Sequence, residues 1–520
     1  MDQQKRLSLL LFFIVIGIGI VWTVILLLDN PDSLLFYGDA VFRLVKSRLI
    51  WDNSYHVIYS IGSVWLPLPY FLFLPFTYID NIFFSGLAGT FVSLPLLALG
   101  TVFVYKSILL VTNEERISIL VAIVFAINPN MLYLSITGMV DSHFIAFFLG
   151  SFYFLLKWLK YDQYRYSSNL NCASLFISLA CLVRYEGWLL AIFLNILIFI
   201  IIIFKRKELN HIKRFILTLS ILNSSVLLWF IWNNLLYQDP FYFLNAEFYS
   251  TAWQAKQWSE RQLLLNNIIE VVSIYGLMCL LLYGPIVILT SIFGLFSNIK
   301  SLSKSQYSIV ILFLLLPALS TLWNLYSGTA VMKIWLNARY VFLLYPLVVI
   351  FLSNLFYLIG FNNRTRKIII YSIFGLIIIS YIVMIIKPEE RTITLVEARA
   401  GYYYKIANET VEIGNYLNKS YDCCKVLLIT GSTQGQKIMM ASKKDFINFH
   451  IAYHEKYSSD TTIIKDPREK YKWIVLAAEP EEDAKIIREV FLENLYRITN
   501  EFKYREVFRN KYFVIYKKED

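Results

Sequence analysis

Apolar stretches of about 20 residues recur along the chain and are its dominant pattern. A helix needs roughly 20 mostly apolar residues to cross the hydrocarbon core of a bilayer. Such stretches occupy residues 8–28, 85–110, 117–135, 142–159, 169–185, 188–204, 215–236, 268–296, 307–323, 339–358 and 368–386. The pattern therefore predicts a polytopic α-helical membrane protein with about eleven transmembrane helices.

Two apolar stretches need separate interpretation. Residues 8–28 follow a basic N-terminus, are long for a signal peptide and lack a small-residue cleavage site, so we predict a retained membrane anchor. Residues 61–78 contain Pro67, Pro69 and Pro75, which disfavour a straight spanning helix. This stretch is predicted to be a loop or a re-entrant segment against the membrane.

From about residue 388 the pattern changes to that of a small soluble domain. It predicts helices at 402–418, 434–442 and 481–495, strands at 425–430 and 472–478, and a terminal hairpin at 504–518. Alternating strands and helices favour an α/β domain. We therefore predict a transmembrane domain at residues 1–387 and an α/β domain at 388–520. The turn GSTQGQ after the first strand lacks the spacing of a nucleotide-binding loop, so a binding or scaffolding role is predicted.

Composition and charge support a membrane protein. Hydrophobic residues make up 58% of the 520 residues and charged residues 16%, which is too apolar for a soluble protein. Basic loops between helices explain the net charge of +11 better than nucleic-acid binding does. These loops fall on one face of the predicted topology, which the positive-inside rule makes cytoplasmic. We therefore predict a plasma-membrane protein with a cytoplasmic N-terminus and an extracytoplasmic C-terminal domain. The five cysteines show neither a disulfide framework nor metal-ligand spacing.

The ionisable residues gather at the predicted outer ends of the helices and in the outer loops. A transporter normally needs polar groups or broken helices near the bilayer midplane. An enzyme that acts on a lipid-linked substrate instead needs charges at the membrane surface, so the distribution favours an enzyme. A multi-spanning transporter or flippase stays open as the alternative, because Pro95, Pro285, Pro317 and Pro346 interrupt apolar stretches.

The first outer loop contains FYGDAVFRL, which places Asp39 close to the membrane surface beside Tyr37 and the flexible Gly38. A carboxylate in this position suits a general base that takes the proton of an acceptor hydroxyl. The structural alternatives are a helix cap and a solvated loop acid.

The next outer turn reads TGMVDSHF, with Asp141 and His143 at the start of an apolar helix. An acid there is stabilised by the helix dipole and also suits a cap. A divalent-metal site built from Asp39, Asp141 and His143 would have suitable oxygen and nitrogen ligands. No spacing demands such a site, so no cofactor is predicted and a divalent metal stays an open alternative.

Two further outer segments carry cations. LVRYEGWLL ends one apolar helix with Arg184 and continues with Glu186, a charge pair that is costly between apolar helices unless it is matched or used. VMKIWLNARYVFLLYP places Lys333 and Arg339, next to Tyr340, on the face that the positive-inside rule keeps poor in cations. The three cations are candidates for holding a lipid phosphate, with Glu186 orienting Arg184. Snorkelling to the interface and interfacial anchoring are the alternatives.

Taken in order, these features resemble the GT-C superfamily of membrane glycosyltransferases. The matching items are an early acid in the first outer loop (YGDA), a proline-rich apolar run (WLPLPYFLFLPF), RYEGW at a helix end, ARYVFLLYP at the start of a late helix and a C-terminal soluble domain. The resemblance covers residues 1–360 and is greatest to the branch that contains protein O-mannosyltransferases and the aminoarabinose transferases of lipid A. Many members of that branch have two adjacent acids where this chain has Gly38-Asp39.

The resemblance implies an inverting transfer of a sugar from a polyprenyl- or dolichyl-phosphate donor to a hydroxyl of a protein, glycan or lipid acceptor on the extracytoplasmic face. Asp39 would then be the catalytic base, and Arg184, Lys333 and Arg339 would steady the departing lipid phosphate. Fixed charges of both signs suit a transition state with a positive sugar carbon and a negative leaving group. We expect Asp39 and the two arginines to meet in one lipid-accessible pocket.

Overall fold

The chain forms two compact units, and neither is continuous in sequence. The first unit is Met1–Asp29, Gly62–Pro69 and Thr90–Glu397, and the second is Asn30–Ile61, Tyr70–Gly89 and Ala398–Asp520. The computed structural model describes residues 3–52, 61, 64–204, 209–246, 250–295, 302–360, 364–387, 391–400, 402–452, 467, 470–479 and 485–519. The domain division predicted after residue 387 stays a prediction. The structure adds that Asn30–Ile61 and Tyr70–Gly89 belong to the same compact unit as the C-terminal part of the chain.

The first unit is helical, and each predicted apolar stretch forms helix in the described part of the chain. Its α-helices are Gln3–Asp29, Leu87–Thr112, Glu115–Ala126, Pro129–Ser135, Asp141–Lys157, Ser168–Cys181, Glu186–Phe204, Leu209–Tyr237, Tyr242–Asn245, Thr251–Ala255, Glu260–Leu264, Ile268–Tyr283, Pro285–Leu295, Lys304–Tyr326, Tyr345–Ile359, Arg364–Ile386 and Ile393–Ala400. A π-helical turn, Trp158–Asp162, extends one helix, and a 3₁₀ helix, Ala338–Leu343, precedes another. The basic loop at 205–207 and Lys300, used to assign the cytoplasmic face, lie outside the described residues.

Seven helices in the described ranges are long and apolar enough to cross a membrane, or up to nine if each of two bent pairs is one span. The chain is therefore a multi-pass membrane protein, although hydropathy predicted about eleven spans. The difference comes from Ser168–Cys181 and Tyr345–Ile359, which have 14 and 15 residues. At about 1.5 Å of rise per residue, helices of this length are shorter than the roughly 30 Å hydrocarbon core.

Two predicted spans are sharply bent rather than straight. They are Glu115–Ala126 with Pro129–Ser135, bent by 65°, and Ile268–Tyr283 with Pro285–Leu295, bent by 113°. A proline begins the second helix of each pair, where its missing N–H ends the helical hydrogen bonding. The amide nitrogens of Asn128 and Asn130 both donate to the carbonyl of Leu282, at 2.8 and 3.2 Å. Side chains at one break therefore satisfy a backbone group at the other, which a membrane interior requires.

The proline-rich stretch 61–78, predicted to be a loop or a re-entrant segment, is helical in part. In its described part it contains a ten-residue helix, Leu68–Thr77, with Pro75 inside. Ten residues are too few to cross a bilayer, so the prediction that this stretch is no straight spanning helix is confirmed.

The second unit contains a five-stranded mixed sheet. The strands are β1 Lys425–Ile429, β2 Phe449–Ile451, β3 Tyr471–Ala477, β4 Tyr504–Arg509 and β5 Phe513–Lys518, in the order β2-β1-β3-β5-β4. Strands β2, β1 and β3 are parallel, while β5 pairs antiparallel with β3 and β4. The predicted α/β class, the strands at 425 and 472 and the terminal hairpin are confirmed. The three-residue strand β2 was not predicted, because its pattern is too short to read.

Helices complete the second unit. They are the α-helices Gly38–Trp51, Asp80–Phe84, Tyr402–Ser420, Ser432–Ser442, Lys485–Glu493 and Leu495–Asn500, and the 3₁₀ helices Ser33–Leu35 and Phe446–Asn448. The helix Ser432–Ser442 begins inside the predicted turn GSTQGQ, so most of that turn is helical. Of the helix predicted at 481–495, residues 481–484 lie outside the described residues.

Arg48 connects two segments of the second unit, the helix Gly38–Trp51 and the residues that follow Leu68–Thr77. Its guanidinium contacts the carboxylates of Asp52 and Asp80, at 3.3 and 2.8 Å. It also donates to the backbone carbonyls of Thr77 and Tyr78, at 2.8 and 2.9 Å. One side chain thus ties the end of the helix Gly38–Trp51 to the segment that follows the proline-rich run.

Candidate functional site

The RYEGW motif forms a tight turn between two helices of the first unit. The turn joins Ser168–Cys181 to Glu186–Phe204. A Cβ atom at Gly187 would lie 2.8 Å from backbone atoms of Ala180 and Cys181, so only glycine lets the second helix approach this closely. The hydroxyl of Tyr185 donates to the carbonyl of Val64 at 2.7 Å. The close approach of the backbone at Gly187 and the hydrogen bond of Tyr185 therefore hold the turn. The charged side chains of Arg184 and Glu186 take no part in these two contacts.

Arg184 forms two ion pairs inside the first unit. Its Nη2 and Nε lie 2.7 and 3.2 Å from the two carboxylate oxygens of Glu186. Its Nη1 lies 3.3 Å from Oδ1 of Asp141, across the bundle in the helix Asp141–Lys157. The side chains are largely buried, with exposed fractions of 13% for Arg184 and Glu186 and 4% for Asp141. Glu186 contacts Arg184 as a bidentate pair, and its role in orienting Arg184 towards a phosphate stays a prediction.

A second arginine joins this group through Tyr340. The guanidinium carbons of Arg184 and Arg339 lie 5.6 and 5.8 Å from the centroid of the Tyr340 ring. Nη1 of Arg339 also lies 3.6 Å from the sulfur of Met139, in the turn that leads to Asp141. We call Asp141, Arg184, Glu186, Arg339 and Tyr340 the arginine cluster. Three sequence segments that are far apart along the chain meet in it.

The arginine cluster balances two guanidinium groups against two carboxylates, and it keeps capacity for a further ligand. Arg184 uses three of its five N–H groups on its two acids, which leaves two donors. Oδ2 of Asp141 is buried and has no hydrogen-bond partner among the described residues. Asp141 also does not cap its helix, since the N-cap position is Val140. A buried carboxylate oxygen without a donor is costly, which suggests a ligand or water that supplies one.

Nothing in the sequence pattern singles out Glu397, yet it lies beside the arginine cluster. Its two carboxylate oxygens accept the backbone N–H groups of Asn337 and Ala338, at 3.0 and 2.9 Å. These residues begin the 3₁₀ helix that carries Arg339 and Tyr340. Burial raises the pKa of Glu397 to about 7, against the opposing effects of Arg339 and the two amides. Only the tertiary structure brings this acid, after the last apolar stretch, to the site.

Lys333 is held in a different contact from the arginines. Its ammonium pairs with the carboxylate of Glu260 and lies 5.6 Å from the centroid of the Trp258 ring. The hydrogen bond from Lys333 lowers the pKa of Glu260. The segments that carry Glu260 and Lys333 therefore pack together, and Arg261 reinforces this contact by donating to the carbonyl of Gly328 at 2.9 Å. The role of Lys333 in phosphate binding stays a prediction.

His143 is a further predicted site residue and a candidate ligand of the divalent-metal site that the sequence left open. His143 is fully buried in the helix that Asp141 begins. Among the described residues, no group of three or more His, Cys, Asp and Glu side chains is arranged to hold a metal ion. The absence of a cofactor stays a prediction.

Asp39 and Tyr37 belong to the second unit. Asp39 lies in the first turn of the helix Gly38–Trp51, where its negative charge complements the helix dipole. Tyr37 occupies the N-cap position and is buried. The backbone carbonyl of Asp39 accepts a hydrogen bond from Nη1 of Arg43 at 3.1 Å. The expectation that Asp39 and the arginines share one pocket stays a prediction.

Replacing Gly187 with Ala is expected to displace the turn that carries Arg184 and Glu186. The new methyl group would overlap the backbone of Ala180 and Cys181, which has little room to move. Overpacking of this kind typically costs about 1–3 kcal/mol. Thermal unfolding of the detergent-solubilised protein measures the loss. Gly276→Ala is the matched control, since no atom lies within 4 Å of its added Cβ. Equal melting temperatures for the two variants would contradict the close approach.

Comparisons with known proteins give a match in fold. The chain is similar to the crystal structure of ArnT from Cupriavidus metallidurans bound to undecaprenyl phosphate, with a TM-score of 0.52 and 9% identity, over 96% of this chain and 98% of that one. ArnT in the apo state gives a TM-score of 0.54 at 8% identity, over 96% and 97%. The oligosaccharyltransferase AglB from Archaeoglobus fulgidus gives 0.47 at 12% identity, over 100% and 75%, which is too slight to support an argument.

No family model matches the chain, and no curated protein matches it in sequence. At 8–9% identity, the likeness to ArnT shows the fold. The chain therefore shares the fold of ArnT, with a helical membrane part and a small sheet domain, in agreement with the fold that the resemblance implied.

Proposed function

We propose that this protein is a membrane glycosyltransferase that takes its sugar from a polyprenyl- or dolichyl-phosphate donor. The observation that carries the proposal is the likeness in fold, over 96% of the chain, to an ArnT structure that holds undecaprenyl phosphate. Because a fold can host several functions, the site must support the same conclusion. It does so through two guanidinium groups that contact one tyrosine ring, and Arg184 has two N–H donors beyond those that bind Asp141 and Glu186.

Phosphate recognition is the role we propose for the arginine cluster. Guanidinium groups bind phosphate oxygens through paired N–H donors, and a partly dry site strengthens these bonds. Glu186 holds the plane of Arg184 by a bidentate contact, which pre-organises its remaining donors. Lys333 supplies a further cation, although its pair with Glu260 must loosen before it can bind phosphate.

The proposed reaction is a single inverting displacement. Asp39 accepts the proton of the acceptor hydroxyl, and the acceptor oxygen forms a bond to the anomeric carbon of the sugar. The bond between that carbon and the phosphate oxygen breaks, and the electron pair leaves with the lipid phosphate. Fixed cations near the leaving group stabilise its growing negative charge without reorganisation, which is often the largest catalytic contribution. We place this reaction on the extracytoplasmic face, where a lipid donor replaces a nucleotide sugar.

A direct test is transfer by the purified protein in liposomes. Radiolabelled mannosyl, glucosyl and aminoarabinosyl polyprenyl phosphates are supplied with hydroxyl acceptors, and release of free lipid phosphate is measured together with glycosylated product. Stoichiometric release and product formation support the proposal. A folded protein that releases no lipid phosphate from these donors, while it moves donor or sugar across the bilayer, is instead a transporter or flippase. The two bent helix pairs are the specific observation that favours a transporter or flippase.

Arg339→Gln is expected to raise the donor KM by about 10–100-fold. A hydrogen bond between charged partners contributes roughly 1.5–3 kcal/mol, and about 1.4 kcal/mol corresponds to a factor of ten. Initial rates at varied donor concentration measure the change. Arg116→Gln, which replaces an exposed arginine of the same unit outside the cluster, serves as the control. An unchanged donor requirement would remove Arg339 from the phosphate site.

A further inference from the structure

Glu397 is buried beside the arginine cluster and has no role in the reaction proposed above. It lies in the helix Ile393–Ala400, which follows the last long apolar helix. Only 7% of its surface is exposed, and its carboxylate meets two consecutive backbone N–H groups. An acid this deeply buried normally compensates a specific group, because burial of an unmatched carboxylate is expensive.

The helix that carries Glu397 is itself fixed at its start. The backbone N–H of Thr394 donates to Oδ1 of Asn130 at 3.0 Å, and the Thr394 hydroxyl donates to the backbone carbonyl of Asn130 at 3.1 Å. Thr394 and Glu397 are three residues apart, so they lie on the same face of the helix. Asn130 belongs to the first bent pair of helices. The first unit therefore holds both the acid and the first part of its helix.

The turn that Glu397 contacts depends on an acceptor. Asn337 has a positive φ of 56°, which turns the chain into the 3₁₀ helix, and its side chain donates to the carbonyl of Val331 at 3.0 Å. The first N–H groups of a helix have no partner inside the helix. Glu397 supplies acceptors at that position and places a negative charge at the positive end of the helix. Arg339 and Tyr340 follow directly.

We propose that Glu397 is a positioning residue of the site: its ionised carboxylate holds the Asn337–Ala338 turn so that Arg339 and Tyr340 face the donor phosphate. The expected effect on catalysis rests on the proposed function, whereas the contact between Glu397 and the turn is independent of it. The ionised form accepts both amides, whereas the protonated form turns one oxygen into a donor that opposes an amide. The charged groups that act on Glu397 among the described residues are Arg339, which favours ionisation, and Asp141, which opposes it.

The sign of the pH effect follows from the raised pKa. With a pKa of about 7, Glu397 is ionised at pH 8 and protonated at pH 5.5. Glu397→Gln imitates the protonated form at every pH. The ratio of wild-type to variant donor kcat/KM is therefore expected to be at least about tenfold at pH 8 and to approach one at pH 5.5. Glu397→Asp keeps the charge, so it should retain part of the wild-type pH dependence.

Hydrogen exchange tests the contact without relying on catalysis. The amides of Asn337 and Ala338 are expected to exchange about tenfold faster in Glu397→Gln at pH 8, since one of the two loses its acceptor. Glu270→Gln, which replaces an exposed acid of the same unit, should leave both amides unchanged. Unchanged exchange in Glu397→Gln overturns the proposal. A ratio of kcat/KM that stays constant with pH also overturns it, because a purely structural role would lower activity equally at every pH.

The two measurements separate this proposal from the proposed function. If wild-type protein transfers no sugar from a lipid phosphate, the proposed function fails. The exchange comparison then still decides whether Glu397 holds the turn. If transfer occurs and exchange is insensitive to Glu397, the function stands and the positioning role is rejected.

Discussion

Asp39→Asn is expected to reduce sugar transfer by about 10²–10⁴-fold, the range that a lost general acid–base group typically costs. Asparagine keeps the shape of the side chain and its position in the first helical turn, but it cannot accept the proton of an acceptor hydroxyl. Expression and donor binding should persist, because the arginine cluster lies in the first unit and Asp39 in the second. Single-turnover transfer with bound donor measures the chemical step.

Asp80→Asn is the matched control for this substitution. Asp80 also lies in the first turn of a helix of the second unit, and its side chain is 65% exposed in its pair with Arg48. The Asp80→Asn variant should transfer sugar at nearly the wild-type rate, since exposed ion pairs contribute only about 0–1 kcal/mol to stability. Equal loss in both variants would indicate a damaged loop rather than a missing base. Full transfer by Asp39→Asn would exclude Asp39 as the base.

Arg184→Met is expected to lower the free energy of unfolding by about 3–5 kcal/mol, the usual consequence of removing one partner of a buried ion pair. Methionine has a similar volume, so the loss reflects charge and hydrogen bonding. Asp141 and Glu186 would remain, with exposed fractions of 4% and 13%, as acids without their arginine. Thermal or denaturant unfolding in detergent, followed by size-exclusion chromatography, measures the change.

Two further variants make the test of Arg184 specific. Arg184→Met combined with Glu186→Gln should recover part of the lost stability, because one of the unpaired charges is gone. Glu260→Gln breaks the more exposed pair with Lys333 and should cost less than about 1 kcal/mol. If Arg184→Met is no less stable than Glu260→Gln, then the ion pairs of Arg184 are not formed in the folded protein.

The contacts that stabilise Arg184 are the same ones that would orient it for the proposed binding of phosphate. The two acids that neutralise its charge also fix the plane of its guanidinium. Arg184→Lys would keep the charge but lose the bidentate geometry, so its stability should lie between those of the wild type and Arg184→Met. A donor phosphate that reached the remaining donors would meet a group that is already oriented.

The limits of hydropathy are clearest at the bent helices. The stretch 117–135 is mostly apolar, with Asn128, Pro129 and Asn130 inside it, and its length and hydropathy predict one span. The structure bends this span at Asn128-Pro129, and the side chains of Asn128 and Asn130 donate to the carbonyl of Leu282 at the other bend, about 150 positions further along the chain. A hydropathy profile averages the values of neighbouring residues, so it carries no information on hydrogen bonds between distant parts of the chain.

The arginine cluster shows the same division between local and tertiary information. Arg184, Glu186, Arg339 and Tyr340 could be chosen from the sequence, because charges are conspicuous beside apolar helices. The pairing of Arg184 with Glu186 could also be predicted, but its pairing with Asp141 could not, since a sequence does not say which helices are neighbours. Glu397 was missed for this reason. This acid follows the last apolar stretch and belongs to no recognisable motif, and only packing turns it into a buried acceptor.

The sequence by itself determined the membrane class, the helical stretches, the α/β character of the C-terminal part and the charged residues that merit attention. These follow from the periodicity and length of apolar segments, which are local properties of the chain. The tertiary structure alone decided where spans bend, that Asn30–Ile61 and Tyr70–Gly89 join the C-terminal part of the chain in one unit, and how Asp141, Arg184 and Arg339 meet. Those features depend on which distant backbone and side-chain groups satisfy one another in a medium without water, and no local pattern encodes that choice.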